Sequence, residues 1–288
     1  MRASRRYLAP WLVVGVVLGL ACRAAAIPAF DHSDYDAFLA EHVREGLVDY
    51  GGIKKEGVLL AGYLRKLEQV SPDDFRRWQR NARIAFWINA YNAITIHGIV
   101  MHYPIEYGGP IARIRFPKSS IRQIARFWDT VFVRVMGAEI TLDDIEHEIL
   151  RKEFGDPRIH FAVVCAAMGC PVLSSDAYRG DLLEQQLERD ARRFINDEEK
   201  VRLDVSENKV YLSSLFKWYA GDFSAAKQDR WLREYSARYR GLMHTVAEYL
   251  RPEERDYLIE HSPRLEFLDY DWSLNDLTED ARRRGTQE

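Results

Sequence analysis

The stretch from Ile84 to Met101 constrains this chain most: 18 consecutive residues without an Asp, Glu, Lys or Arg. A run of that length touches the range needed to cross a bilayer. Asn89, Asn92, Thr95 and His97 interrupt it, which suits a helix buried at the centre of a globular core better than one facing lipid. Asn89 and Asn92 are three residues apart with Tyr91 between them. Buried amides need hydrogen-bond partners, so the pair either ties the helix to a neighbouring loop or lines a site.

The first 26 residues have the layout of a secretory signal peptide. Arg2, Arg5 and Arg6 form a basic start, Trp11 to Ala21 an uncharged apolar stretch, and Ala24-Ala25-Ala26 a small-residue cleavage site before Ile27. Gly19-Leu20-Ala21-Cys22 resembles a lipid-acylation site but lacks the leucine three residues before the cysteine. Cleavage removes four arginines and no acid, taking the formal charge from −3 to −7. A chain this acidic is a poor general nucleic-acid binder. The expected location is secreted or periplasmic, without a stable membrane span after cleavage. A small molecule or peptide is the expected kind of ligand, and oligomeric state is not legible.

Helical periodicity covers Asp34 to Val43, Val58 to Val70 and Leu182 to Asn196, and Ser71-Pro72 opens a further helix. Gly46 and Gly51-Gly52 are expected to break the chain after the first of these. Val131 to Thr141 and Val201 to Leu212 each read as a β-hairpin, with turns at Gly137 and at Ser206-Glu207-Asn208. Thr141-Leu142-Asp143-Asp144 has the capping-box spacing and opens a helix to about Phe154. Ile159 to Cys165 reads as a buried strand, the remainder after Leu212 as mostly helical, and the tail from Thr278 as frayed. The expected fold is α+β: a helix-rich single domain over 27–277 with a small mixed or antiparallel sheet and a central apolar helix.

No dinucleotide loop, Walker loop or serine elbow is present. His147-Glu148-Ile149-Leu150-Arg151 begins like a zinc-protease helix, but Arg151 stands where the second histidine is needed, and His97 and His102 are wrongly spaced. No cofactor or metal is expected. Cleavage leaves two cysteines, Cys165 and Cys170. They admit a disulfide, a reactive thiol, two inert thiols or a metal ligand. On a strand, His160 and Cys165 face opposite sides, so His160 is not the obvious base for Cys165. On an α-helical wheel of about 100° per residue, Glu146 falls inside the apolar stripe and His147 at its edge. A carboxylate aimed at a core is either paired, here with Arg151 or Arg158, or acts as an acid, base or orienting group. Arg113, Arg115, Lys118, Arg122 and Arg126 form an acid-free basic run, either a solvated face or an attractor of anions.

Several of these blocks together resemble one family. Phe86-Trp87-Ile88-Asn89-Ala90-Tyr91-Asn92-Ala93 is similar to the signature of domain of unknown function 547. Leu142 to Arg151, Pro157 to Cys165 with Gly169-Cys170-Pro171, Trp218-Tyr219 with Asp222-Phe223, and Asp269 to Asn275 resemble its further blocks, over roughly residues 30–275. The resemblance implies a single domain and carries no established activity. Fusion of some relatives to glutaredoxin-like domains points toward thiol chemistry. Ala166-Ala167 stands where the usual motif often has a serine after the first cysteine.

The reading that follows is a cysteine-dependent hydrolase or transferase acting on an amide or thioester. Cys170, or Cys165, is the nucleophile, His147 or His160 the base, Glu146 its orienter and Asn89 an oxyanion or orienting amide, with Asn92, Tyr91 and Arg158 contacting substrate. The alternative is a non-catalytic binding domain with a Cys165–Cys170 disulfide. Intact mass of exported protein is expected to place the mature start at Ile27; a retained Met1 or a lipid on Cys22 contradicts it.

Overall fold

In a computed structural model of the chain, the structure describes residues 29–130, 132–223 and 230–278. The segment expected to be a signal peptide and the tail beyond Thr278 lie outside the described residues. Helix α1 (Ser33–His42) leads into a short hairpin, β1 (Val43–Arg44) and β2 (Leu47–Val48), turned at Gly46 with φ +85°. Helices α2 (Tyr50–Glu56), α3 (Val58–Gln69) and α4 (Pro72–Arg77) follow. Gly51 and Gly52 do not break the chain: Asp49 caps α2 by accepting from the Gly52 N–H at 2.8 Å, which holds both glycines in the first turn.

The long apolar run becomes α5 (Arg80–His102), and 83% of its most apolar 18-residue window is buried. It is long and apolar enough to cross a membrane, but here it is the axis of the larger core, which α1 to α3, the β3 (Val133–Val135) and β4 (Ala138–Ile140) hairpin and the segment Asp144–Phe154 surround. Short α6 (Pro110–Arg115), with no buried residue, precedes that hairpin. The capping box forms as its spacing requires. The Thr141 hydroxyl and N–H donate to Asp144 Oδ2 at 2.7 and 2.9 Å, and the Asp144 N–H donates back to Thr141 Oγ1 at 3.1 Å. What it opens is wider than the expected α-helix: Asp144–Phe154 is a π-helix, closing i→i+5.

A second, smaller core packs on a three-stranded mixed sheet. Strands β5 (Val201–Asp204) and β6 (Lys209–Ser213) are the expected antiparallel hairpin. Strand β7 (Arg264–Leu268) adds parallel to β6, so the remainder is less helical than its composition suggests. Helix α7 (Leu183–Ile195) joins the two cores: Leu183 and Leu187 belong to the first, and Ala191, Phe194 and Ile195 to the second. Helices α8 (Ser214–Trp218), α9 (Arg240–Tyr249) and α10 (Pro252–His261) complete the second core.

The expected strand Ile159–Cys165 is not one. Asp156 caps a 3₁₀ turn, Pro157–Phe161, through the Arg158 N–H at 3.0 Å. Beyond it the chain finds its backbone partner in a side chain. Asn92 Nδ2 donates to the Ala162 carbonyl at 3.0 Å, and the Val164 N–H donates to Asn92 Oδ1 at 2.9 Å. Asn89 does the same one turn earlier, with the Tyr178 carbonyl at 2.8 Å and its N–H at 2.9 Å. Each amide supplies the donor and acceptor that an adjacent strand would have supplied. Replacing Asn89 by Leu is therefore expected to strand both polar groups of Tyr178 in the core. The cost is about 2–4 kcal/mol, read as a lowered urea midpoint at unchanged m-value.

Candidate active site

Between the two cores lies a cavity of about 200 Å³, walled by Tyr91, Glu146, His160, Cys165, Cys170, Tyr219, Trp218, Tyr270 and Trp272, with Arg122, Trp128, Asp143 and His147 also on its lining. Segments distant in sequence converge on it: α5 with Tyr91, the turn with Arg122 and Trp128, the π-helix with Glu146, the irregular stretch carrying His160 and both cysteines, and the late blocks with Tyr219 and Tyr270.

The cysteine loop is held on one side by the Asn92 amide and on the other by the end of the chain. The Met168 N–H donates to the Ser273 carbonyl and the Gly169 N–H to the Asp271 carbonyl, both at 2.8 Å, and the Asn275 N–H donates to the Ala166 carbonyl at 3.0 Å. Ala166 adopts a left-handed φ of +61°, which costs a non-glycine residue about 1–2 kcal/mol. That conformation turns the chain sharply just after Cys165. Gly169 is needed for space, since a Cβ there would sit 2.8 Å from the Tyr270 ring.

Both cysteines are free thiols, so the Cys165–Cys170 bridge allowed by the sequence is not formed. Cys170 is 4% exposed and Cys165 is partly exposed. The Cys170 sulfur accepts from the Cys165 N–H at 3.0 Å and from the Tyr270 hydroxyl at 3.2 Å. Burial alone would raise the Cys170 thiol, but these donors and the Cys165 side chain favour its thiolate and bring it below the ordinary cysteine value. The reverse holds for Cys165. Its thiol is pushed well up, first by hydrogen bonding to Cys170 and then by burial, so it is the proton-bearing member of the pair.

His160, expected to face away from Cys165, lines the cavity with both cysteines because the segment is not a strand. Its ring is 1% exposed and stacks on Tyr219 at 3.9 Å between centroids. Nε2–H donates to Asp222 Oδ2 at 2.7 Å. Arg151 grips the same carboxylate with two hydrogen bonds, Nε to Oδ2 at 2.6 Å and Nη2 to Oδ1 at 2.9 Å. Burial works to raise the Asp222 carboxyl, but the Arg151 hydrogen bonds, followed by those of His160, hold it well below the usual carboxylate range. An ionised Asp222 on Nε2 leaves Nδ1 as the basic nitrogen of His160.

Other expected roles change hands. Glu146 is buried as the wheel required, but it orients no histidine and pairs with neither Arg151 nor Arg158. Its oxygens accept from the Tyr91 hydroxyl at 2.9 Å and the Tyr219 hydroxyl at 2.5 Å. Burial, then the Glu146 charge, pushes both phenols well above their ordinary value, so they remain donors. Tyr91 thus lines the cavity with its hydroxyl already committed. His147 sits half-exposed on the cavity lining, with Nδ1 taken by Arg151 at 2.8 Å and Nε2 facing Asp143 at 3.6 Å, which removes it as the base. Asn89 and Asn92 spend their amides on backbone, so Asn89 is no oxyanion group and Asn92 supports the site without lining it. Arg158 is neutralised by Asp156 and Glu184, each at 2.7 Å, and lies outside the cavity.

The residues that sequence reasoning missed are Asp222, Arg151 as its partner, Tyr219 and Tyr270. All four fall in blocks that carried the family resemblance. Residues 75–195 match the family model described as a protein of unknown function, DUF547. No curated protein and no solved structure matches the chain.

The Asp222 carboxylate titrates lower in the folded chain than in the unfolded one. It therefore contributes stability that is full above the ordinary carboxylate range, about pH 4, and is lost as pH falls toward its folded value. Against an Asp222→Asn variant, the stability advantage of the wild type is expected to be constant above about pH 5 and to shrink below about pH 4. Urea unfolding at a series of pH values measures it. A gap that does not vary with pH would contradict the pairing.

Proposed function

The chain belongs to the DUF547 family over residues 75–195, whose description names no activity, and we propose from its cavity that it is a cysteine-dependent hydrolase or transferase acting on an amide or thioester. The observation that carries this reading is the Cys170 sulfur, held by the Cys165 N–H and the Tyr270 hydroxyl, in the same cavity as a histidine whose other nitrogen is fixed by Asp222. Nucleophile, base and orienting carboxylate are the parts acyl transfer requires.

In this mechanism the Cys170 sulfur attacks the carbonyl carbon, and a carbon–sulfur bond forms as the carbonyl electrons move to oxygen. The Cys165 N–H and the Tyr270 hydroxyl, at 3.0 and 3.2 Å from the sulfur, stabilise it as the thiolate before attack. The proton that Cys170 gives up in becoming a thiolate is held by His160 Nδ1 and passes to the leaving nitrogen or sulfur as its bond to carbon breaks. Water or a second nucleophile then releases the acyl group. Asp222 keeps the imidazole in its working tautomer and stabilises its charged form, and Arg151 holds Asp222 in place. One observation favours the binding-domain alternative: Cys170 is 4% exposed, so a substrate reaches it only through the cavity mouth.

Iodoacetamide labelling read by mass spectrometry separates the two. Cys170 is expected to label at neutral pH faster than a free thiol, and Cys170→Ser to lose that fast phase. His160→Ala is expected to lower hydrolysis of an aryl thioester by 10²–10⁴-fold, on the order expected for a lost general base. Labelling only after reduction, with a two-proton mass deficit beforehand, would leave a binding domain.

A further inference from the structure

Arg122 is the member of the basic run that lines the cavity of Cys170. Lys118 pairs with Glu106 at 3.3 Å and Arg126 with Asp129 at 3.6 Å. No carboxylate among the described residues pairs with the Arg122 guanidinium. It is placed instead among three rings, with centroids at 4.9 Å for Phe116, 5.1 Å for Trp272 and 5.5 Å for Trp128.

The base of the side chain is fixed. Arg122 lies in a 3₁₀ turn, Ile121–Gln123, whose flanking side chains are both buried, and its N–H donates to the buried Ser120 hydroxyl at 3.2 Å. Gln123 Nε2 ties that turn to the carbonyls of Ala112, Phe116 and Pro117, at 3.2, 3.0 and 2.9 Å.

Aromatic rings engage a guanidinium electrostatically and by stacking, while its N–H donors lie in its own plane and match a planar oxyanion in pairs. Aromatic neighbours therefore position Arg122 without neutralising it. Arg122, Trp128 and Trp272 line the same cavity as Cys170. The wall is continuous: Trp272 touches Tyr270 at 4.6 Å between centroids, and the Tyr270 hydroxyl reaches the Cys170 sulfur at 3.2 Å.

We infer that Arg122 determines the specificity of this cavity, and that its substrates carry a carboxylate on a planar or apolar body. The carboxylate pairs with Arg122, the body lies along Trp128 and Trp272, and the reactive carbonyl faces Cys170. The position of the carbonyl rests on the acyl-transfer reading; the preference for a carboxylate does not.

Calorimetric titration of the mature protein with phenylacetate and with its neutral analogue phenylacetamide tests the preference. The same two ligands serve as protectants against iodoacetamide. Phenylacetate is expected to bind roughly 10- to 100-fold more tightly than phenylacetamide, as a charge-assisted hydrogen-bond pair would give. It is also expected to be the better protectant of Cys170. In Arg122→Gln, whose side chain is exposed and whose folding is checked by its thermal midpoint, the two ligands are expected to become equal. Failure of phenylacetate to bind, equal affinities in the wild type, or a preference that survives in Arg122→Gln would overturn the inference. A Cys170 that never labels, beside an Arg122-dependent preference, would remove the acyl-transfer reading and leave the carboxylate site standing.

Discussion

The amide of Asn92 is the contact on which the rest of the site depends. It is buried in the middle of the most apolar helix of the chain, and it serves both the Ala162 carbonyl and the Val164 N–H. A chain entering a core must satisfy its backbone groups, and the usual means is a sheet. Here one side chain on α5 does so, and the segment from His160 to Cys170 can cross the core without being a strand. That freedom lets His160 and the cysteines face one cavity, which period-two alternation would have prevented.

The second constraint is electrostatic. Arg151, Asp222 and His160 form a chain of charge-assisted contacts that links the π-helix to the block after α8. It is continuous with the aromatic contacts, since the Arg151 guanidinium lies 5.0 Å from the Tyr219 ring centroid and Tyr219 stacks on His160. Glu146 closes the arrangement by holding the Tyr219 hydroxyl. Two carboxylates thus serve different ends: Asp222 fixes the His160 ring, and Glu146 fixes Tyr91 and Tyr219.

The elements with strong local signals were legible in the sequence. The capping box, both hairpins, the amphipathic α7 and the buried α5 follow from spacing and composition within each segment. The burial of Glu146 was legible for the same reason. Its partners were not, because nothing local tells a buried carboxylate whether it will meet an arginine or two phenols. The strand expected at Ile159–Cys165 failed because periodicity sees apolar residues and not where their backbone groups find partners; the answer lay about 70 residues away in Asn92. Asp222 and Tyr270 were visible only as parts of recurring blocks, since their meaning depends on contacts across 62 and 100 positions.

The cysteine loop is laced along one side to Asp271, Ser273 and Asn275, almost at the end of the described chain. Asn275 continues the lacing to the other end of the fold: its side chain donates to the Gly46 carbonyl and accepts from the Tyr50 hydroxyl. During synthesis, the helices that build the larger core emerge first, and α5 can gather them while the ribosome is still translating. Tyr270, whose hydroxyl donates to Cys170, and the strap from Asp271 to Asn275 follow later. A nascent chain therefore assembles its scaffold before its two thiols meet the hydroxyl and the backbone strap that hold them, which follow about 100 positions later.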